Sequence, residues 1–170
     1  MNITQVGVVC YGNIARSQIL GIYLRKCLAR AGLSRIKVYS VGTAPYEAFP
    51  NTPALIREVK EKLKERGLNA NPKRNHWTEE AKEQLGLSDI ILVADEDRKK
   101  EIIGRIGDKI PRGRIYTFYQ FIGEGDKGFE DSYDYKNKRQ EPVKFGKIFD
   151  ELKRIAEKAT DKIKSMQNHH

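Results

Sequence analysis

The stretch "VVCYGNIARSQ", residues 8–18, is the sequence feature that most constrains the fold. Three valines, Val6, Val8 and Val9, are interrupted only by a glycine and predict a buried strand. Residues 14–30 predict a helix, so the residues between the two elements form a strand-to-helix turn. Because open α/β sheets bind ligands beyond the carboxyl ends of their strands, the stretch predicts a functional site at Cys10.

Strands and helices alternate along the rest of the chain. "IKVYSVGT" and "GRIYTFYQF" predict a second and a fourth strand, and the apolar run "DIILVAD" predicts a third strand that is buried on both faces. The predicted helices are residues 14–30, about 52–66 capped by Thr52, a short one capped by Thr78, 96–106 and 141–166. Residues 122–140 lack apolar periodicity and predict an extended surface loop. The predicted fold class is α/β, a single-domain three-layer αβα sandwich with a four-stranded parallel sheet in the flavodoxin-like order 2-1-3-4.

Length and cysteine usage bound the domain organisation. The 170 residues fit one domain, predicted over residues 1–166, and residues 167–170 are interpreted as a tail with a trace of an expression tag. Two cysteines are too few for a disulfide framework, so we interpret Cys10 and Cys27 as reduced thiols, with Cys27 in the core. No stretch approaches the roughly 18 apolar residues of a membrane span. We expect a cytoplasmic protein without a membrane partner.

The net charge of +9 comes from 32 basic and 23 acidic residues. Basic and acidic residues interleave in helices such as "REVKEKLKERG", which is typical of a helix face exposed to solvent. No zinc-finger spacing, glycine-rich RNA motif or basic-aromatic strand accompanies them, so we expect no nucleic-acid partner. The positive excess favours anionic ligands by steering. Abundant Lys, Glu, Arg and Ile also suggest a thermophilic source.

The turn after the first strand has the chemistry of an anion site. Its five residues can curl so that backbone N–H groups point inward at the positive end of a helix dipole. Gly12 and Asn13 tolerate positive φ, and Arg16 supplies a planar fork for two phosphate oxygens. Ser17 can hydrogen-bond the sulfur, and this setting favours the thiolate of Cys10. The turn therefore predicts a nucleophile in a phosphate cradle that needs no metal and no cofactor. The predicted phosphate-binding residues are Tyr11, Gly12, Asn13, Ile14, Ala15, Arg16 and Ser17.

These residues resemble a known family. "VCYGNIARS" resembles the phosphate-binding loop of the low-molecular-weight protein tyrosine phosphatases, C-x-G-N-x-x-R-S. "SVGT" at 40–43, "DIILVADE" at 89–96 and "FEDSYDY" at 129–135 resemble the family's S-A-G-T strand end, third strand and Asp-Pro-Tyr loop, in the family's order. The resemblance covers essentially the whole chain. It implies hydrolysis of protein phosphotyrosine and small aryl phosphates, with inorganic phosphate as the product.

The resemblance also implies roles for individual residues. The Cys10 thiolate would attack phosphorus, with Arg16 compensating charge at the phosphoryl oxygens. Asp131 would protonate the leaving phenolate and then act as the base for water. The further implied positions are Asn13 and Ser40 for loop support and Tyr46 and Tyr133 beside the substrate ring.

The sequence departs from the family pattern at several positions. Ala15 stands where the family often has a second loop cysteine, so redox protection by a loop disulfide is not expected. Ser132 replaces the proline of Asp-Pro-Tyr and frees the backbone, so Asp134 stays a rival for the general acid. "NPKRNHWTEE" differs from the family's His/Arg-rich stretch, and no role is carried over to it. Asp95 is predicted to cap a helix or support a loop.

Three alternatives remain open from the sequence. An arsenate reductase of this fold needs further cysteines to relay a disulfide, and Cys27 is far downstream in a predicted helix. A phosphocysteine carrier must avoid water attack, which Arg16 and a carboxyl acid argue against. A catalytically weak protein that binds phosphotyrosine is consistent with the serine at position 132.

Overall fold

The computed structural model describes residues 1–168. Its main elements are β1 (Gln5–Cys10), α1 (Arg16–Arg30), β2 (Lys37–Gly42), α2 (Thr52–Glu65), α3 (Glu79–Gly86), β3 (Ile90–Val93), α4 (Glu96–Ile106), β4 (Ile115–Thr117), α5 (Phe118–Phe121), β5 (Tyr133–Asp134), β6 (Arg139–Gln140) and α6 (Pro142–Asn168). Short 3₁₀ turns occur at Tyr46–Ala48 and Arg112–Arg114.

The sheet has four parallel strands in the order β2-β1-β3-β4. This confirms the predicted fold class and strand order. In the register, Cys10 lies opposite Gly42, and Val9 lies opposite both Val41 and Val93. The carboxyl ends of β1, β2 and β3 therefore meet at one edge, where the predicted site lies.

Alternation along the strands divides the core into two layers. Val6, Val8 and Cys10 pack on the side of α1 and α6, as do Ile90 and Leu92. The intervening residues of β1 and β3 pack on the other side, with buried residues of α3 and α4. β1 and β3 are covered on both faces, which explains their apolar sequences.

Several element boundaries differ from the predictions. Helix α1 begins at Arg16, two residues later than predicted, because residues 14 and 15 complete the turn. The fourth strand ends at Thr117, whose hydroxyl and Gln120 form a capping box that starts α5. Asn51 rather than Thr52 occupies the N-cap position of helix α2, and its side chain makes no capping hydrogen bond. The region predicted as a plain loop contains the hairpin of β5 and β6, whose pairing is too short to show as alternation.

Helix α6 is 27 residues long and buries one apolar stripe that runs from Phe145 to Ile163. It continues to Asn168, two residues past the predicted end, because the Gln167 side chain exchanges hydrogen bonds with the backbone of Ile3. Part of the predicted tail is therefore helical, and residues 169–170 lie outside the described residues. Within residues 1–168, no helix has the length and apolar character needed to cross a membrane.

Candidate active site

The turn between β1 and α1 places Cys10 at the bottom of a pocket. The cysteine is the last residue of a strand inside the sheet, and it is 2% exposed. Its sulfur accepts a hydrogen bond from the Asn13 amide at 3.2 Å and lies 3.0 Å from the Ser17 hydroxyl oxygen. Because that hydroxyl oxygen already accepts from the Asn13 side-chain amide at 2.8 Å, its proton is free to face the sulfur. Two hydrogen-bond donors therefore face the sulfur.

Asn13 holds the turn in shape. Its φ is 52°, in the left-handed region that asparagine tolerates better than most residues. Its side-chain oxygen accepts from the backbone N–H of Asn75 at 2.7 Å and from the side chain of Gln18 at 3.2 Å. The sequence-based expectation that Asn13 supports the loop agrees with these contacts.

The segment 73–75 braces the turn from outside. Arg74 donates to the Gly12 carbonyl at 3.0 Å and also to the carbonyls of Pro45 and Tyr46. The Asn75 carbonyl accepts from the Gly42 amide at 2.9 Å. Sequence reasoning assigned no role to this segment, because a hydrogen-bonding side chain in a loop does not indicate which backbone it will reach.

The end of β2 approaches the turn very closely. A Cβ atom at Gly42 would lie 2.7 Å from the Gly12 carbonyl carbon and 2.8 Å from the Asn13 nitrogen. Only glycine fits there. Ser40, predicted to support the loop, makes no side-chain hydrogen bond to it within residues 1–168, and its carbonyl accepts instead from the Asn75 side chain at 3.1 Å.

Arg16 turns its guanidinium toward two carboxylates. One nitrogen lies 3.2 Å from Asp95 Oδ2 and 3.3 Å from the Phe129 carbonyl, and the other lies 2.9 Å from Asp131 Oδ2. Burial lowers the pKa of Arg16, but the anionic forms of Cys10, Asp131 and Asp95 outweigh burial and raise it overall. The cation is therefore permanent and lies beside the sulfur.

Asp95 has the structural role predicted for it. Its Oδ1 caps α4 by accepting from the Arg98 amide at 2.9 Å, and its Oδ2 holds Arg16. Because Asp95 ends the loop after β3, it fixes the arginine relative to the sheet.

The carboxylate of Asp131 faces the pocket, whereas that of Asp134 does not. Asp131 Oδ1 accepts from the Tyr133 amide at 3.1 Å, and Oδ2 accepts from Arg16 and, at 3.0 Å, from the Tyr135 hydroxyl. Asp134 instead lies at the hairpin turn, where hydrogen bonds from Asn137 lower its pKa. The geometry favours Asp131 over Asp134 as the general acid.

Aromatic side chains form the walls of the pocket. Phe49 and Tyr133 pack edge to face with ring centroids 5.3 Å apart, and Tyr135 lies 4.9 Å from Tyr133. Burial and the neighbouring Asp131 raise the pKa of Tyr135, so its hydroxyl keeps its proton. The lining residues are Cys10, Gly12, Ile14, Ala15, Arg16, Phe49, Asp131, Tyr133, Tyr135 and Gln140.

Tyr46, predicted to flank the substrate ring, lies outside this pocket. It is 61% exposed, and its ring contacts the imidazole ring of His76 and the guanidinium of Arg74. Phe49, three residues later, takes the place on the pocket wall. Sequence reasoning missed Phe49, Tyr135 and Gln140, because an aromatic or amide in a loop is equally compatible with packing elsewhere.

Cys27 is distant from the nucleophile. It lies half-buried on α1 at the edge of the core, and burial raises its pKa. Cys10 contacts Ser17 in the first turn of α1, and Cys27 lies about 15 Å further along the helix at a rise of about 1.5 Å per residue. This exceeds the Cα separation of roughly 7 Å that a disulfide tolerates.

The fold and the site define a cysteine-based phosphatase. The sequence matches the family model described as low molecular weight phosphotyrosine protein phosphatase over residues 5–169, and the chain belongs to that family. No curated protein matches the chain significantly.

Solved structures share the fold. A mutant of YwlE from Bacillus subtilis has 22% identity and a TM-score of 0.73, covering 95% of this chain and 99% of that one. YwlE arginine phosphatase from Geobacillus stearothermophilus has 20% identity and a TM-score of 0.71, covering 98% and 97%. Vibrio vulnificus Wzb in complex with benzylphosphonate has 24% identity and a TM-score of 0.71, covering 95% and 99%. At these identities the likeness shows the fold alone.

Proposed function

We propose that this phosphatase hydrolyses aryl phosphate monoesters, including protein phosphotyrosine, through a phosphocysteine intermediate without a metal ion. The observation that carries the proposal is the shared pocket of Cys10, Arg16 and Asp131 between aromatic walls. Each side chain fills one role that phosphoryl transfer requires: nucleophile, charge compensation and proton donor.

In the first step, the Cys10 thiolate attacks phosphorus and forms an S–P bond while the P–O bond to the phenol breaks. Arg16 and the amides of the turn stabilise the three equatorial oxygens. Protonated Asp131 gives its proton to the departing phenolate oxygen.

In the second step, water attacks phosphorus and the S–P bond breaks. Asp131, now a carboxylate, takes a proton from the water, and Cys10 leaves as the thiolate. Inorganic phosphate is released, and the thiol and the carboxyl group return to their starting forms.

The walls of the pocket favour an aromatic leaving group over a guanidinium. Ile14, Phe49 and Tyr133 offer apolar surface, which suits a phenyl ring. A buried guanidinium carries five N–H donors that need acceptors. Among the residues that line the pocket, Asp131 supplies the one carboxylate, and Arg16 and Tyr135 already occupy its Oδ2.

Parallel assays with p-nitrophenyl phosphate, a phosphotyrosine peptide and a phosphoarginine peptide test this function. We expect steady turnover of the first two and at least about tenfold lower kcat/KM for phosphoarginine, about 1.4 kcal/mol in transition-state binding. A preference for phosphoarginine would contradict the substrate class. A single stoichiometric burst would indicate a carrier, and binding without product release would indicate a phosphotyrosine-binding protein.

An assay with arsenate and a thiol reductant tests the reductase alternative. We expect no thiol-dependent reduction, because the second cysteine lies half-buried on α1, far from the pocket. Reduction that is lost in a Cys27→Ser variant would overturn this expectation.

A further inference from the structure

A buried pair of polar side chains lies directly beside the candidate acid. Ser132 is 1% exposed and Gln140 is 6% exposed, and the serine hydroxyl donates to Gln140 Oε1 at 2.7 Å. A buried hydroxyl or amide without a partner is destabilising, so each group holds the other in place. The pair closes the base of the β5–β6 hairpin.

The backbone strengthens the same connection. The Glu141 amide donates to the Ser132 carbonyl at 2.8 Å, directly before α6 begins. Residue 132 is therefore held by its side chain and by its carbonyl to the start of the longest helix. Asp131 precedes this anchored residue, and its own Oδ1 accepts from the Tyr133 amide that follows.

Ser132 stands at the position where the family pattern Asp-Pro-Tyr has its proline. A proline fixes its own φ and restricts the residue before it, whereas serine does neither. The segment before Asp131 has no regular structure between α5 and β5. Arg16, Tyr135 and the Tyr133 amide hold the carboxylate itself. With serine in place of proline, the backbone that carries it needs a further restraint, because proton transfer requires close alignment.

We propose that the Ser132–Gln140 hydrogen bond positions Asp131 for proton transfer to the leaving group, in place of a proline ring. Ser132 and Gln140 are positioning residues that act through Asp131. The inference rests on the proposed function and specifies how the acid loop of that same site is held.

Ser132→Ala removes the hydrogen bond from the serine side and leaves the pocket lining unchanged. We expect kcat to fall about tenfold for phenyl phosphate, a poor leaving group, and to change little for p-nitrophenyl phosphate. The KM should stay near its original value, because the cradle for phosphate is built by other residues. Ser132→Pro should restore kcat for phenyl phosphate while leaving Gln140 unpaired.

Ser88→Ala is the matched control. Ser88 is also buried and hydrogen-bonded to a buried glutamine, Gln5, at 3.1 Å, but at the opposite end of the sheet. Ser88→Ala should lower the midpoint of thermal unfolding, as Ser132→Ala does. The dependence of kcat on the leaving group should stay unchanged. In an Asp131→Asn background, Ser132→Ala should lose its effect on kcat, because there is no acid left to position.

Hydrogen exchange of the Tyr133 amide gives a readout that does not need turnover. Ser132→Ala should speed this exchange several-fold, and Ser88→Ala should not. Unchanged exchange would overturn the positioning role. So would an equal slowing of all leaving groups that persists in the Asp131→Asn background. Absence of aryl phosphatase activity in the unmodified protein would instead refute the proposed function, and the exchange experiment would still test the positioning role.

Discussion

The guanidinium of Arg16 donates to Asp131 Oδ2 at 2.9 Å, although 115 positions separate the two residues in the chain. The arginine side chain is 6% exposed and the carboxylate 28%. The ion pair joins the phosphate cradle at the start of α1 to the acid loop before the β5–β6 hairpin. The carboxylate therefore competes with an incoming phosphate for the same cation.

This competition gives Asp131→Asn two opposite effects. We expect kcat for phenyl phosphate to fall about 10²- to 10⁴-fold, because general acid catalysis is lost. Affinity for vanadate should rise about fivefold, because one negative charge beside the anion site is removed. Steady-state kinetics and vanadate inhibition measure the two effects.

Asp134→Asn is the matched control for that variant. Its carboxylate is committed to Asn137 and the Lys136 amide at the hairpin turn. We expect both kcat and vanadate affinity to stay within about twofold of the unmodified protein. Loss of activity toward phenyl phosphate in this variant alone would reassign the general acid.

Replacement of Cys10 by serine should abolish turnover. A serine hydroxyl at this position stays protonated, so we expect kcat to fall at least about a thousandfold, or about 4 kcal/mol. Phosphate binding should persist, since Arg16 and the turn amides remain. Isothermal titration with phosphate and a p-nitrophenyl phosphate assay measure both. Cys27→Ser should keep full activity. Turnover that persists in Cys10→Ser and is lost in Cys27→Ser would refute nucleophilic catalysis by Cys10.

Gly42→Ala should disturb the turn. The added Cβ would overlap the backbone of residues 11–13 at 2.7–2.8 Å, so we expect a loss of about 1–3 kcal/mol in stability and a clear fall in kcat. Gly104→Ala is the contrasting variant, because that glycine lies within α4 with open space around its Cα. It should raise stability by about 0.5–1 kcal/mol without changing kcat. Urea unfolding measures the stability of each variant, and activity assays measure its kcat.

Asp89 should contribute stability that depends on pH. Its Oδ2 accepts from the Thr4 amide at 2.7 Å, the Thr4 hydroxyl at 2.9 Å and the Gln5 amide at 3.1 Å. Burial raises the pKa of Asp89, but these hydrogen bonds outweigh burial and lower it overall. The contribution is fully present above the unfolded pKa of about 3.9 and is lost as pH falls through the lower folded value.

Asp89→Asn should therefore lower the free energy of unfolding at pH 7 by about 1 kcal/mol, a small effect because the carboxylate is partly exposed. At pH 2 the difference from the unmodified protein should shrink toward zero. Urea unfolding at both pH values measures it. A difference that stays constant with pH would show that the ionised carboxylate is not the stabilising form.

Local sequence patterns predicted the sheet and the strand-to-helix turn after β1 well. The apolar runs of β1 and β3 are buried on both faces, as their composition indicates. Thr78 caps α3 as predicted, with its hydroxyl accepting from the Ala81 amide at 3.0 Å. These features depend on residues that are neighbours along the chain or along a strand, so a short pattern specifies them.

The pocket wall and the braces of the turn were not predictable in the same way. Arg74 reaches the Gly12 carbonyl across 62 positions, and Phe49 rather than Tyr46 reaches the wall. Which of two nearby aromatic side chains turns inward depends on how the loop packs against Tyr11 and the β5–β6 hairpin. No periodicity in the loop encodes that choice.

The sequence by itself determined the class of fold, the thiol at the end of the first strand and the turn that surrounds it, because adjacent residues dictate hydrogen bonding and burial over short distances. Only the tertiary structure decided which carboxylate faces the thiol, which aromatic rings line the pocket and how Ser132 is held by Gln140. Those contacts join residues from separate elements, and their geometry exists only once the whole core has packed.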